Sequence, residues 1–249
     1  MLLMGGDLLP HYFSESNFIT GYLLPQFSLL KDKMGKQFPE LFLILGNDDA
    51  KRDENFILKG EVQGIWKYIH AKNIEYKNYN FFGYSYINPS PFLLKDWEKY
   101  DVSRYVEPGC ISPEDGKRTI EIPEHEKKYS TIDDDLKKLF PKESIRRTIC
   151  LFHAPPYQTS LDRAGLDGRK IEGVQLDVHV GSVAIKNWIE DSQPLLSLHG
   201  HIHESARLTG KWKDKVGKTH CFGAAHDGPE LAIIKFNPNN LDEAKRILI

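Results

Sequence analysis

Four short apolar runs stand out along the chain, and each stops at a polar residue. Leu2-Leu3-Met4-Gly5-Gly6 ends in Asp7, and Leu41-Phe42-Leu43-Ile44-Leu45 ends in Gly46-Asn47-Asp48-Asp49. Thr148-Ile149-Cys150-Leu151-Phe152 ends in His153, and Pro194-Leu195-Leu196-Ser197-Leu198 runs into His199-Gly200-His201-Ile202-His203. Runs of this length bounded by turn formers read as strands buried on both faces. Between them the pattern is that of helices. Ser16 to Met34 reads as a helix interrupted near Pro25. Glu54 to Ala71 reads as another, with Ile57, Val62, Ile65, Trp66 and Ile69 toward one face. Thr131 to Leu139 is a third, capped by Thr131 and carrying Asp133, Asp134 and Asp135 where the helix dipole favours acids. Ser182 to Glu190 is a fourth, and Asn80 to Ser85 and Leu231 to Phe236 read as further strands.

Composition bounds this picture without changing it. A chain of 249 residues, 40% hydrophobic, can bury a substantial core as one large α/β domain. Residues 1–249 are read as a single domain, with residues 88–130 as a Pro-rich insertion or lid holding Pro89, Pro91, Pro108, Pro113 and Pro123. Within it Trp97, Tyr100, Arg104 and Tyr105 either meet a base or phosphate or, the preferred reading, pack the insertion onto the body. A net charge of −2 gives no global attraction to nucleic acid or acidic lipid. The three cysteines, Cys110, Cys150 and Cys221, form no CxxC pair, and no export signal or membrane-length apolar run is visible. The expectation is a cytoplasmic protein.

The chemistry lies at the strand ends. In open α/β sheets, ligands collect outside the carboxyl ends of the strands. Four strand ends here bring Asp, Asn/Asp, His and His-x-His toward one edge. Neutral imidazole is the commonest protein metal ligand. A set mixing Asp, Asn and His suits Mn, Fe, Ni or Zn and not a soft thiolate site. The bland alternative is a group of surface or core histidines without a shared partner. His70 reads as ending a helix, His179 and His220 as lacking a partner pattern, His226 as following a strand with lining the cleft the lesser reading, and His199 as facing away from His201.

The order Gly5-Gly6-Asp7, Gly46-Asn47-Asp48-Asp49, His153 and Gly200-His201-Ile202-His203 resembles the calcineurin-like metallophosphoesterases, from about residue 3 to residue 230. The runs His153-Ala154-Pro155-Pro156 and Ser192-Gln193-Pro194 into Gly200 resemble the branch described as Icc-related phosphoesterases. The resemblance implies a four-layer α/β/β/α sandwich of two mixed sheets with flanking helices. It also implies up to two divalent ions (Mn, Fe, Ni or Zn), which can clamp a phosphate and acidify a bridging water. Carried across, Asp7 bridges both ions, Asn47, His153 and His201 complete the second, and His203 binds the first. Two departures stand out. Members usually begin with an Asp-x-His strand well before Gly-Asp, whereas only six residues precede Asp7 here. The competing explanations are a first strand left out of the sequence, substitute ligands with His11 nearest, and a one-metal or inactive relative. Second, Asp48 stands where most members carry a histidine. It is the candidate catalytic acid, or a group that orients a water or a ligand.

The function this resemblance implies is hydrolysis of a phosphomonoester or phosphodiester by a metal-activated water, with a small nucleotide-like substrate favoured. The alternative is a non-catalytic or one-metal binding protein of the same fold. Nothing basic and interleaved with aromatics tracks an extended nucleic-acid strand.

Overall fold

The alternation of apolar residues within the strands decides the layering. The computed structural model describes residues 1–10, 15–139 and 145–249. Its strands are β1 (Leu2–Gly5), β2 (Leu41–Ile44), β3 (Lys67–Tyr68), β4 (Asn73–Tyr76), β5 (Tyr79–Tyr84), β6 (Thr148–Phe152), β7 (Lys170–Ile171), β8 (Val174–Gln175), β9 (Leu196–His199), β10 (Lys213–Val216), β11 (Thr219–Gly223), β12 (Ala232–Asn237) and β13 (Asn240–Leu248). Its helices are α1 (Glu15–Phe18), α2 (Leu24–Met34), α3 (Glu54–Val62), α4 (Glu124–Tyr129), α5 (Ile132–Leu139), α6 (Val183–Ser192) and α7 (Ser205–Thr209). One sheet is parallel in the order β1-β2-β3, and the other is mixed in the order β10-β11-β9-β6-β5-β4.

Side chains alternate across a strand, so each buried strand serves two cores. Phe42 and Ile44 of β2 meet Ile149 and Leu151 of β6, Leu196 and Leu198 of β9 and Phe222 of β11 between the sheets. On the opposite faces, Leu41 and Leu43 of β2 and Cys150 and Phe152 of β6 belong to a second cluster with Leu24, Ile57, Trp66, Ile185 and Trp188. The result is helix, sheet, sheet, helix. The hairpin of β12 and β13 adds Ile234, Leu241 and Ala244 to the inner core.

Most elements fall where the pattern puts them, and three differ. Glu54 to Ala71 is not one helix. It stops at Val62, Gly64 turns the chain at φ +67°, and Lys67–Tyr68 pairs beside β2. Ile65, Trp66 and Ile69 are buried through that turn and strand, while Val62 is 88% exposed. His70 therefore follows a strand and forms a bridge to Gly83. Second, β1 is an edge strand and only partly buried, unlike β2 and β6. Third, the break near Pro25 is a turn of π-helix over Ile19–Leu23, after which Pro25 sits in the first turn of α2, where its missing N–H costs nothing. The expected Thr131 cap forms, with Asp134 N donating to Thr131 Oγ1 at 3.0 Å, and Ser182 caps its helix as well, accepting from Ile185 N at 3.1 Å.

Residues 88–130 are mostly irregular and are held by buried polar contacts. The Lys95 ammonium lies 2.6 Å from the Glu98 carboxylate with both side chains fully buried. Ser90 donates to Glu98 from its backbone N at 2.9 Å and from its hydroxyl at 2.5 Å. Asp96 accepts from Lys51 N and Thr119 N, each at 2.8 Å. Trp97 is fully buried, edge-on to His70 at 5.0 Å, and Tyr100 is buried as well. Arg104 and Tyr105 are exposed, with Arg104 paired to Glu114 and lying over the rings of Tyr100 and Tyr129. Among the described residues no helix is long and apolar enough to cross a membrane.

Candidate metal centre

Four of the five predicted ligands sit just beyond the C-terminal ends of their strands, Asp7 after β1, Asn47 after β2, His153 after β6 and His201 after β9, and His203 follows two residues later. Asp7 and His201 adopt left-handed backbone conformations, at φ 52° and 66°. Non-glycine residues held there are uncommon and concentrate where a side chain must be aimed. Gly46 allows the two loops to touch. A Cβ there would overlap Asp7 Oδ1 and lie 2.6 Å from the Asp7 backbone N.

The centre is built around His153, which is almost fully buried. Its Nδ1 lies 2.7 Å from the Gly5 carbonyl oxygen. A carbonyl only accepts, so Nδ1 carries the hydrogen. Its Nε2 lies 3.2 Å from Asp7 Oδ2 and 3.0 Å from Asn47 Oδ1. Asn47 turns its oxygen this way because its Nδ2 donates to Asp48 Oδ1 at 2.9 Å. Neutral His153 would thus face two acceptor oxygens with a lone pair. Three electron-pair donors converge on one point, which calls for a cation or an added proton. Without an ion the proton takes that place. Burial pulls the His153 pKa down, but the Asp7 charge, its hydrogen bond and Gly5 more than compensate and raise it to about 9. Burial alone would raise Asp7, yet His153 and the Asp48 N–H hold it well below the usual carboxylate range.

His201 lies alongside, its ring 5.3 Å from that of His153. Burial, then the charge of His153, push its pKa down to about 3, so it is neutral with a lone pair to give. His203 is exposed at the rim. Among the described residues no three His, Cys, Asp or Glu side chains are grouped closely enough to enclose an ion. The direct convergence is of Asp7, Asn47 and His153, and its chemistry fits one divalent ion. His11 lies outside the described residues.

Two features escaped the sequence reading. Asp49, fully buried, accepts from Leu8 N and Leu9 N at 2.9 Å and from Gly46 N at 2.8 Å. It ties the loop after β1 to the loop after β2. Burial, then the Asp7 charge, raise its pKa to about 7. Asp162 and His179 form a pair at 2.8 Å, although His179 shows no partner pattern in sequence. The other histidines are accounted for. His199 is buried, as expected facing away, with Nδ1 2.9 Å from Ala154 O and Nε2 2.8 Å from Ser197 Oγ. His70 accepts from Ser85 N at 3.1 Å, and burial, then nearby lysines, push its pKa down to about 3, so it is no helix-capping cation. His226 pairs with Glu230 at 3.0 Å. The three cysteines are unpaired.

A two-sheet α/β sandwich with Asp, Asn and His at its strand ends defines a metallophosphoesterase-type protein. Residues 1–205 match the calcineurin-like phosphoesterase family model, and the chain belongs to that family. It is similar to TT1561 of Thermus thermophilus, whose crystal structure superimposes with a TM-score of 0.54 at 15% identity, covering 99% of this chain and 84% of that one. Among curated proteins it is similar to the uncharacterized protein MJ1162 of Methanocaldococcus jannaschii, 35% identical over 79 residues. That match spans 31% of this chain and 30% of the relative. The family implies a hydrolase that uses divalent metal.

Proposed function

We propose that the protein is a metal-dependent phosphoesterase that cleaves small phosphodiesters or phosphomonoesters, nucleotide-like ones favoured, in the cytoplasm. One observation carries the reading: the buried His153 Nε2 faces the oxygens of Asp7 and Asn47 at 3.2 and 3.0 Å. Asp7, Asn47, His153 and His201 would hold an ion, manganese being the first to test, with His203 adding a ligand from the rim. A bound divalent ion supplies positive charge for phosphoryl oxygens and acidifies a water. The chain's own residues do the rest. Asp7 offsets cationic charge, and Asn47 gives a neutral oxygen that does not repel an anionic substrate. The Gly5 carbonyl fixes the His153 tautomer. Asp48 accepts from the Asn47 amide and so holds the Asn47 oxygen toward His153.

Asp7→Ala or His201→Ala abolishes turnover of a chromogenic phosphodiester with added manganese. Undiminished turnover in either variant refutes the assignment. The exposure of His203 favours a second reading, a one-metal binding protein. Metal content of the purified protein separates the two, since a single equivalent without turnover supports that reading.

A further inference from the structure

One imidazole in the loop after β6 stands outside the ion cradle, with the ring of Tyr157 edge-on to it at 6.2 Å. His179 is half-buried, and its Nδ1 lies 2.8 Å from Asp162 Oδ1. Asp162 is fully buried and accepts three more hydrogen bonds, from Gln158 N at 2.9 Å, Thr159 N at 3.0 Å and Gly181 N at 3.1 Å. A carboxylate with its oxygens so occupied is a fixed mount. It takes the Nδ1 hydrogen and leaves Nε2 as the working nitrogen. The backbone is fixed too: His179 N donates to Asp177 Oδ1 at 2.8 Å, and Tyr157 OH donates to Asp177 Oδ2 at 2.6 Å.

The segment carrying this pair lies on the metal side of the sheet. It leaves β6 at His153 and returns at Ser182, the cap of α6. Ser182 N donates to Pro155 O at 2.9 Å, and Tyr157 N donates to Ser182 O at 3.0 Å, so its two ends close just beyond His153. Farther along, Gly165 N donates to Glu204 Oε1 at 3.2 Å, next to His203.

We propose that His179, oriented by Asp162, donates the proton that the leaving oxygen of the phosphoester takes up. This rests on the phosphoesterase reading above. As the bond from water oxygen to phosphorus forms, the bond from phosphorus to the leaving oxygen breaks. That oxygen takes the Nε2 proton, leaving neutral imidazole. The attacking water releases its proton to solvent, and solvent reprotonates His179.

The test compares two phosphodiesters on the manganese-loaded full chain, one with an alkyl and one with a para-nitrophenyl leaving group. An alkoxide needs a proton to depart, and nitrophenolate does not. His179→Gln lowers kcat on the alkyl substrate by about 100-fold or more, and on the nitrophenyl substrate by under about threefold. Asp162→Asn, acting through His179, shows the same leaving-group dependence, and added imidazole restores part of the alkyl activity of His179→Ala. Equal losses on both substrates, or no loss on either, overturn the proposal while the phosphoesterase reading stands. No turnover of either substrate by the unaltered protein overturns both.

Discussion

The candidate metal centre and the Lys95–Glu98 and Asp96 network within residues 88–130 both bury charged groups, and they settle them in opposite ways. In the insertion the buried charges meet their complements: the Lys95 ammonium meets Glu98 and the Ser90 carbonyl, and Asp96 meets two backbone N–H groups. At the strand ends, Asp7 and Asn47 aim acceptors at His153 Nε2, which satisfies them only by taking up an extra proton. Matched polar groups fix a shape. Mismatched ones ask for something the chain does not supply, and that difference makes the strand ends the candidate binding site.

Three experiments break or sharpen this contrast. The largest effect belongs to the insertion. Glu98→Ala strands a buried ammonium and costs about 3–5 kcal/mol of stability, with metal affinity unchanged. A loss below about 1 kcal/mol in urea unfolding would mean that Lys95 finds another partner. Next comes the centre. Manganese at about 100 times its Kd raises unfolding free energy by about 2.7 kcal/mol. His153→Ala removes that gain, and identical melting of the unaltered protein with manganese and with chelator would end the argument for a cradle. The most gradual effect is set by the buried histidines His199 and His70. Burial lowers the pKa of His199 to about 4 and of His70 to about 3. Above the unfolded value near 6.5 both states are neutral and nothing is lost. Below it the unfolded chain binds protons that the folded chain refuses, so stability falls as pH drops toward 4, by up to about 1.4 kcal/mol per pH unit per group. Asp49 and Glu98, raised to about 7, act in the opposite sense over the same window, so the slope is read as the difference in urea midpoints between the unaltered protein and His70→Phe at successive pH values, and a difference that does not change with pH contradicts it.

Sequence showed the strand ends well because a buried strand leaves an uninterrupted apolar run. Leu41 to Leu45 and Thr148 to Phe152 are fully buried, and the polar residue that stops each run is the one that reaches the centre. Helix ends were harder to see. Ile65, Trp66 and Ile69 fit a helical face by spacing, and only the Gly64 reversal and pairing with β2 exclude it. The Asp162–His179 pair was invisible, because residues 17 apart in irregular backbone meet through tertiary packing and leave no periodic trace. Asp49 was read as a family feature, and its grip on Leu8, Leu9 and Gly46 is legible only once β1 and β2 lie side by side.

That grip has a consequence for how an ion is taken up. Because one carboxylate clasps both loops, Asp7 and Asn47 are presented on a common rigid body, and recruitment of a cation costs little ordering of the chain. Empty and loaded protein would then share one backbone, with rearrangement limited to a proton leaving His153.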